Sequence, residues 1–164
     1  MSGDEGASCD ELILAACKND HLDMLEDVLN QPGTFNINCV DSLGNTGLHY
    51  AAKFGALSCI ASLLQQPEIQ VDKQNRISFD TPLHMAVTYK DDPSVTLEIV
   101  QLLIEHDADP RILNKQRQKP VDMVDRGFQE LRSLLQQAEL AINMSHDDMV
   151  GDDSDSDSDG EISE

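Results

Sequence analysis

The stretch Thr81-Pro82-Leu83-His84-Met85-Ala86 decides the fold of this 164-residue chain. A near-copy lies upstream at Thr46-Gly47-Leu48-His49-Tyr50-Ala51-Ala52, and a weaker echo follows at Lys119-Pro120-Val121-Asp122-Met123-Val124. The line has a local physical meaning. The Thr81 hydroxyl caps a helix N-terminus by accepting from a backbone N–H of the first turn. Pro82 then takes the first helical position, where its missing N–H costs nothing. Leu83 and Ala86 lie three residues apart and share one helix face, the one to be buried. The unit recurs 35 residues on from Gly47 to Pro82 and 38 on from Pro82 to Pro120. That recurrence marks a repeat protein, in which units stack because none buries its apolar face alone.

This line resembles the signature of the ankyrin-repeat family, and the resemblance covers roughly residues 10–143. It implies an all-α ankyrin-repeat solenoid of about four helix-turn-helix repeats joined by finger hairpins, with repeats at about 10–40, 41–74, 75–113 and 114–143. It also implies that His49 and His84 are structural. Each would bond its own threonine, Thr46 or Thr81, and the backbone of the neighbouring finger. We read these four residues as staples in preference to metal ligands or catalytic groups.

Working outward along the chain, residues 1–9 are small and acidic and read as a flexible N-terminus. Helical spacing begins at Asp10, with an apolar stripe of Leu12, Ile13, Ala15, Ala16 and Cys17 and a left-handed stop expected at Asn19. Leu22, Leu25, Val28 and Leu29 continue at the same period. The second repeat predicts helices over Thr46–Phe54 and Ala56–Gln66, separated by Gly55 and ended by Pro67. Gly47 stands where the family has proline, which loosens the helix start. The third predicts Thr81–Tyr89 and Ser94–His106. Its finger, Lys73–Asp80, is one residue long and carries Phe79 where the family has glycine. Lys90-Asp91-Asp92-Pro93 inserts about five residues relative to the family period of about 33, as a contact point or as neutral loop variation. The fourth repeat predicts Pro120–Arg126 and a closing helix from Phe128 to Asn143, with Leu131, Leu134, Leu135, Leu140 and Ile142 inward.

Charge separates the remainder. The chain holds 31 acids and 11 bases, a net charge of −20. Nine of the acids and no base fall between Asp147 and Glu164, so 144–164 reads as a disordered acidic tail that buries too little to offset its ordering entropy. Such a balance disfavours nucleic acid and anionic membrane surfaces and favours basic partners. Cys9, Cys17, Cys39 and Cys59 have neither zinc nor disulfide-framework spacing and read as small buried thiols of a reducing compartment. No phosphate loop, paired metal motif or nucleophile elbow is present, so the expectation is no enzyme and no cofactor.

By resemblance, the finger tips and the exposed sides of the first helices form a protein-binding groove. Its residues are Ser42, Leu43, Asn45, Lys53 and Phe54, then Ile77, Ser78, Asp80, Thr88 and Tyr89, then Lys115, Gln116 and Gln118. Phe54 and Tyr89 read either as hot spots or as packing against the adjacent repeat. Arg111, Lys115, Arg117 and Lys119 form an acid-free basic finger. It is open to three readings: solvated tips, a site for an acidic partner, or a seat for the chain's own tail. Ser145, Ser154, Ser156 and Ser158 each have an acid three residues on and fit an acidophilic kinase.

The function expected is a non-catalytic protein–protein adaptor. In outline the chain resembles small fungal ankyrin-repeat proteins with acidic tails, one of which escorts a newly made ribosomal protein, so an escort of a basic client comes first. The alternative is a stoichiometric inhibitor or regulatory or assembly subunit of a kinase or proteasome-type complex. The expected state is a monomer of cytoplasm and nucleus that binds neither nucleic acid nor membrane.

Overall fold

The computed structural model describes residues 8–150, with side chains described to Ser145. Serine comes first in its logic: Ser8 caps α1 (Cys9–Asn19) through a reciprocal box in which its hydroxyl accepts from the Glu11 N–H and the Glu11 carboxylate accepts from the Ser8 N–H. Ser8 and Cys9, in the stretch 1–9 expected to be flexible, therefore belong to this helix and its cap, and residues 1–7 lie outside the described residues. α1 ends at Asp20, whose φ of 55° makes it the left-handed residue. Asn19 instead turns its side chain back to the Ala15 carbonyl, which corrects the expected stop by one position.

Three helix pairs follow this pattern. α1 packs on α2 (Leu22–Leu29), α3 (Gly47–Lys53) on α4 (Leu57–Leu64), and α5 (Pro82–Ala86) on α6 (Pro93–Glu105). α3 lies between α1 and α5, and α4 between α2 and α6. The core runs through every layer: Ile13, Leu25, Leu48, Ile60, Leu83 and Leu103 are all fully or almost fully withdrawn from solvent. Each such side chain contributes roughly 1.5–3 kcal/mol by burial. Leu14 joins this core although the sequence stripe omitted it, while Ala15 and Leu12 are only half-buried. No strand occurs among the described residues; the fingers hold their hairpin shape through single backbone pairs and side-chain turns.

The fourth repeat departs furthest from expectation. Its first helix is a single 3-10 turn over Pro120–Met123, not a helix to Arg126. Its second, α7 (Gln129–Val150), passes the 143/144 boundary that composition suggested and runs on for two turns. Leu131 and Leu135 close the core, but Leu140 is 58% exposed, so the expected apolar side reaches only part-way along the helix. The acidic stretch 151–164, with Ser154, Ser156 and Ser158, lies outside the described residues.

α5 is also shorter than the predicted Thr81–Tyr89. Asp92 starts α6 afresh by accepting from the Ser94 N–H, with Pro93 at the first helical position. Gly47 turns out to be a packing requirement as much as a loosened start. A Cβ there would lie 3.1 Å from both Cys17 Sγ and Ile13 Cγ2, tighter than ordinary van der Waals contact.

Candidate docking face

The two Thr–His units build the face's framework. The Thr46 N–H donates to His49 Nδ1 at 3.1 Å, and His49 Nε2–H donates to the Asp80 carbonyl at 2.8 Å. Thr81 and His84 repeat this geometry, with Nε2–H on the Gln118 carbonyl at 2.8 Å. A carbonyl only accepts, so the proton sits on Nε2 and Nδ1 stays open to the threonine N–H. Burial, opposed in part by these carbonyl bonds, holds both imidazoles below their ordinary pKa and in the neutral form that uses both nitrogens.

The fingers are then tied side by side. The Arg76 N–H donates to the Leu43 carbonyl at 2.9 Å, and the Lys115 N–H to the Ser78 carbonyl at 2.8 Å. Asp41, Asn75 and Asn114 occupy one register and organise each turn: Asn75 Oδ1 accepts from the N–H groups of Ser78 and Asp80, and Asn114 Oδ1 from those of Gln116 and Gln118. Their amides reach back to the previous finger, Asn75 Nδ2 to Asn45 Oδ1 at 2.9 Å and Asn114 Nδ2 to Asp80 Oδ1 at 3.0 Å. Asn45 in turn donates to the Tyr50 hydroxyl, which donates to Asp41. Burial works against the Asp41 charge, but bonds from Tyr50, Asn45 and Leu43 outweigh it and hold the carboxyl below its ordinary range.

This ladder corrects one expectation. Asn45 is only 5% exposed and serves the stack, so it is no groove contact. Asp80 and Ser78 are half-buried and bonded to each other at 2.8 Å. Ser42, Leu43, Lys53, Phe54, Ile77, Thr88, Lys115 and Gln116 are exposed, and Gln118 is half-buried beside Asn114.

The apolar part of the face lies on the same line. The Phe54 ring lies parallel to that of Tyr50 at 6.3 Å, and Tyr50 reaches the first finger through Asp41, so floor and tips are continuous. Tyr89, half-buried, lies over Gly55, whose φ of 71° and lack of Cβ leave room for the ring. Phe79 takes the left-handed position of the second finger, at φ 57°, where the first finger has Gly44 at φ 82°. Its ring is exposed, with Lys115 Nζ 5.9 Å from the centroid. Sequence reading missed Phe79 as a face residue because it registered only as a missing glycine.

The basic finger is less basic than its sequence. Arg111 pairs with Asp109 at 2.9 Å and bonds Asn143, and Lys119 pairs with Glu139 at 2.7 Å. The hydrogen bond from Arg111 holds the Asp109 carboxyl below its ordinary range. Lys115 and Arg117 remain exposed. The 90–93 insertion turns toward the next repeat: Lys90 pairs with Asp125 at 3.1 Å, and a hollow of about 100 Å³ lies among Tyr89, Pro93, Val124 and Phe128.

All four cysteines are free. The neighbouring Cys59 thiol, together with burial, pushes the Cys17 pKa up, and burial raises Cys39 to about 11. No group of three His, Cys, Asp or Glu among the described residues is arranged to hold a metal. No described helix is long and apolar enough to cross a membrane.

The family model for ankyrin repeats, in three copies, matches residues 12–115. An ankyrin repeat-containing protein of Saccharomyces cerevisiae is 42% identical over 152 residues, covering 87% of this chain and 84% of its own length. A putative ankyrin repeat protein of Escherichia coli is 36% identical over 129 residues, covering 78% and 63%. An ankyrin repeat-containing protein of Schizosaccharomyces pombe is 29% identical over 109 residues, covering 66% and 44%. With the stacked helix pairs, the Thr–His staples and the tied fingers already in view, this chain belongs to the ankyrin-repeat family, a protein–protein interaction fold.

Proposed function

We propose that the chain is a non-catalytic adaptor that holds another protein on its finger and first-helix face. The observation that carries this reading is the gathering of exposed large apolar side chains: Leu43, Phe54, Ile77, Phe79 and Leu113 all lie on the fingers or at the end of α3. A cluster of that kind on a polar surface is the ordinary mark of an interaction site. Ile77, at 59% exposed, gains most from being covered.

Two finer roles divide this reading. Escort of a basic client is supported by the net charge of −20 alone. A regulatory, inhibitory or assembly subunit that works through the face is supported by the rings and aliphatic tips, and we favour it. The proposed state is a monomer shared between cytoplasm and nucleus. We also retain Ser145, exposed on α7, as a phosphorylation site, along with Ser154, Ser156 and Ser158.

The test is cross-linked capture from cell extract with the intact chain and with an L43S/F54S/I77S variant, washed at low and moderate salt. The favoured role expects one partner held through both washes and lost from the variant. A partner kept by the variant and lost with salt would shift recognition to the acidic surface and the escort role.

A further inference from the structure

The docking face has the charge sign opposite to that of the chain that carries it. Lys53 ends α3, Arg76 stands on the second finger, and Lys115 and Arg117 stand on the third; all four are exposed. Among the described residues no carboxylate lies within ion-pair distance of any of them, whereas Lys90, Arg111 and Lys119 are paired. The carboxylates on the same fingers are already engaged, Asp41 by Tyr50 and Asp80 by Ser78 and Asn114. Cations and rings alternate: Lys53 Nζ is 5.4 Å from the Phe54 centroid, and Lys115 holds a similar place over Phe79. The acids Asp20, Asp91 and Asp92 follow the C-terminal ends of α1 and α5, the same end at which Lys53 closes α3, while Arg76, Lys115 and Arg117 stand on the fingers.

We propose that this face takes an acidic segment of a partner protein that also carries apolar anchors. Its carboxylates meet Arg76, Lys115 and Arg117, and its anchors meet Phe54, Ile77 and Phe79. The inference rests on the adaptor reading above, since it names the chemistry of what that face holds. Unsatisfied cations beside exposed rings set both specificity and encounter rate for an oppositely charged ligand. The chain's own Asp147–Glu164 supplies the charge but only Met149, Val150 and Ile162 as apolar content, too little to cover the face. Two copies, each at −20, repel at long range, as does a nucleic acid.

A display library of random dodecapeptides, panned at low salt on the intact chain, tests the assignment. The enriched sequences are expected to be acidic and to contain Leu, Ile or Phe. A synthetic peptide from that set should bind K115E/R117E about tenfold or more weakly, bind F54S/I77S more weakly by a similar factor, and weaken as salt rises. Enrichment of neutral or basic peptides that still depend on Phe54 and Ile77 would overturn the acidic assignment while leaving the docking face intact. Binding indifferent to both variants would overturn the face itself. Carbodiimide cross-linking of the intact chain adds two contrary outcomes. A link from Lys53 or Lys115 to a carboxylate of residues 147–164 of the same molecule gives the face to the chain's own end. A link between two molecules gives it to a second copy. Either result overturns the partner assignment.

Discussion

Protonating His49 or His84 removes the acceptor that holds the threonine N–H at the start of each first helix. Both groups are held below the ordinary value of about 6.5. The unfolded chain therefore binds more protons at these positions, and their contribution to stability is complete above about pH 6.5 and is lost as pH falls through the depressed folded values. Urea midpoints should drop between pH 7.5 and 5.5. An H84Q variant, weaker at neutral pH by about 1–3 kcal/mol, should lose less on acidification. Equal losses in both proteins would remove the histidine from the account. Phe79 shows the opposite economy, since a left-handed residue with a Cβ costs about 1–2 kcal/mol. F79G should raise the urea midpoint by the equivalent of about 0.5–1 kcal/mol after glycine's extra unfolded-state freedom is counted, and should weaken partner binding. A lower midpoint would show that the ring's contacts outweigh the strain. The Thr–His staples were legible through the family resemblance carried by that one line of sequence. The role of Asn45 was not, because its partner Asn75 arrives 30 residues later.

The finger is the element on which the most depends. Asn75 turns its own finger and grips the one before it, and it is almost fully buried. N75A leaves the Asn45 side-chain oxygen Oδ1 and the Ser78 and Asp80 N–H groups without their partner. The expected loss is about 2–4 kcal/mol, read as a urea midpoint shift, with weaker binding at both adjoining finger tips. A loss below about 0.5 kcal/mol would mean that water replaces the amide. Helix positions were legible to within a residue or two wherever a cap or a proline marked them, as at Thr46, Pro67 and Asp92. The expectation failed at ends that carried no such mark. The first helix of the fourth repeat starts at Pro120 as expected but stops at Met123 as a 3-10 turn, and α7 ran past Asn143 because its sequence holds no helix breaker before Gly151. The basic finger misled for a related reason. Arg111 bonds across to Asn143 and Lys119 pairs with Glu139, contacts that only the path of α7 brings about.

At the scale of the molecule the stack is quasi-linear, with each repeat stabilised by its neighbours. α3 and α4 are covered on both sides, whereas the last repeat has one neighbour and no full first helix. Amide hydrogen exchange should therefore be slowest in Leu48–Ala52 and Cys59–Leu64 and fastest, among helical residues, beyond Leu135. Uniform protection along the chain would mean that the repeats unfold as one unit. The solenoid architecture was legible from the 35- and 38-residue recurrence, because repetition reports on packing as well as on local structure. A basic finger was legible in the sequence, but which of its cations stay free was not, because that depends on which carboxylates the stacked elements carry to each one.

The bond from the Tyr50 hydroxyl to Asp41 has an optical consequence. The chain has no tryptophan and only two tyrosines, so its intrinsic emission belongs to Tyr50 and Tyr89. A carboxylate that accepts the phenolic proton shortens the excited state and darkens that ring. Tyr50's share of the native emission should be dim, brighten when the first finger lets go of α3, and so report the opening of one finger–helix junction without any attached label.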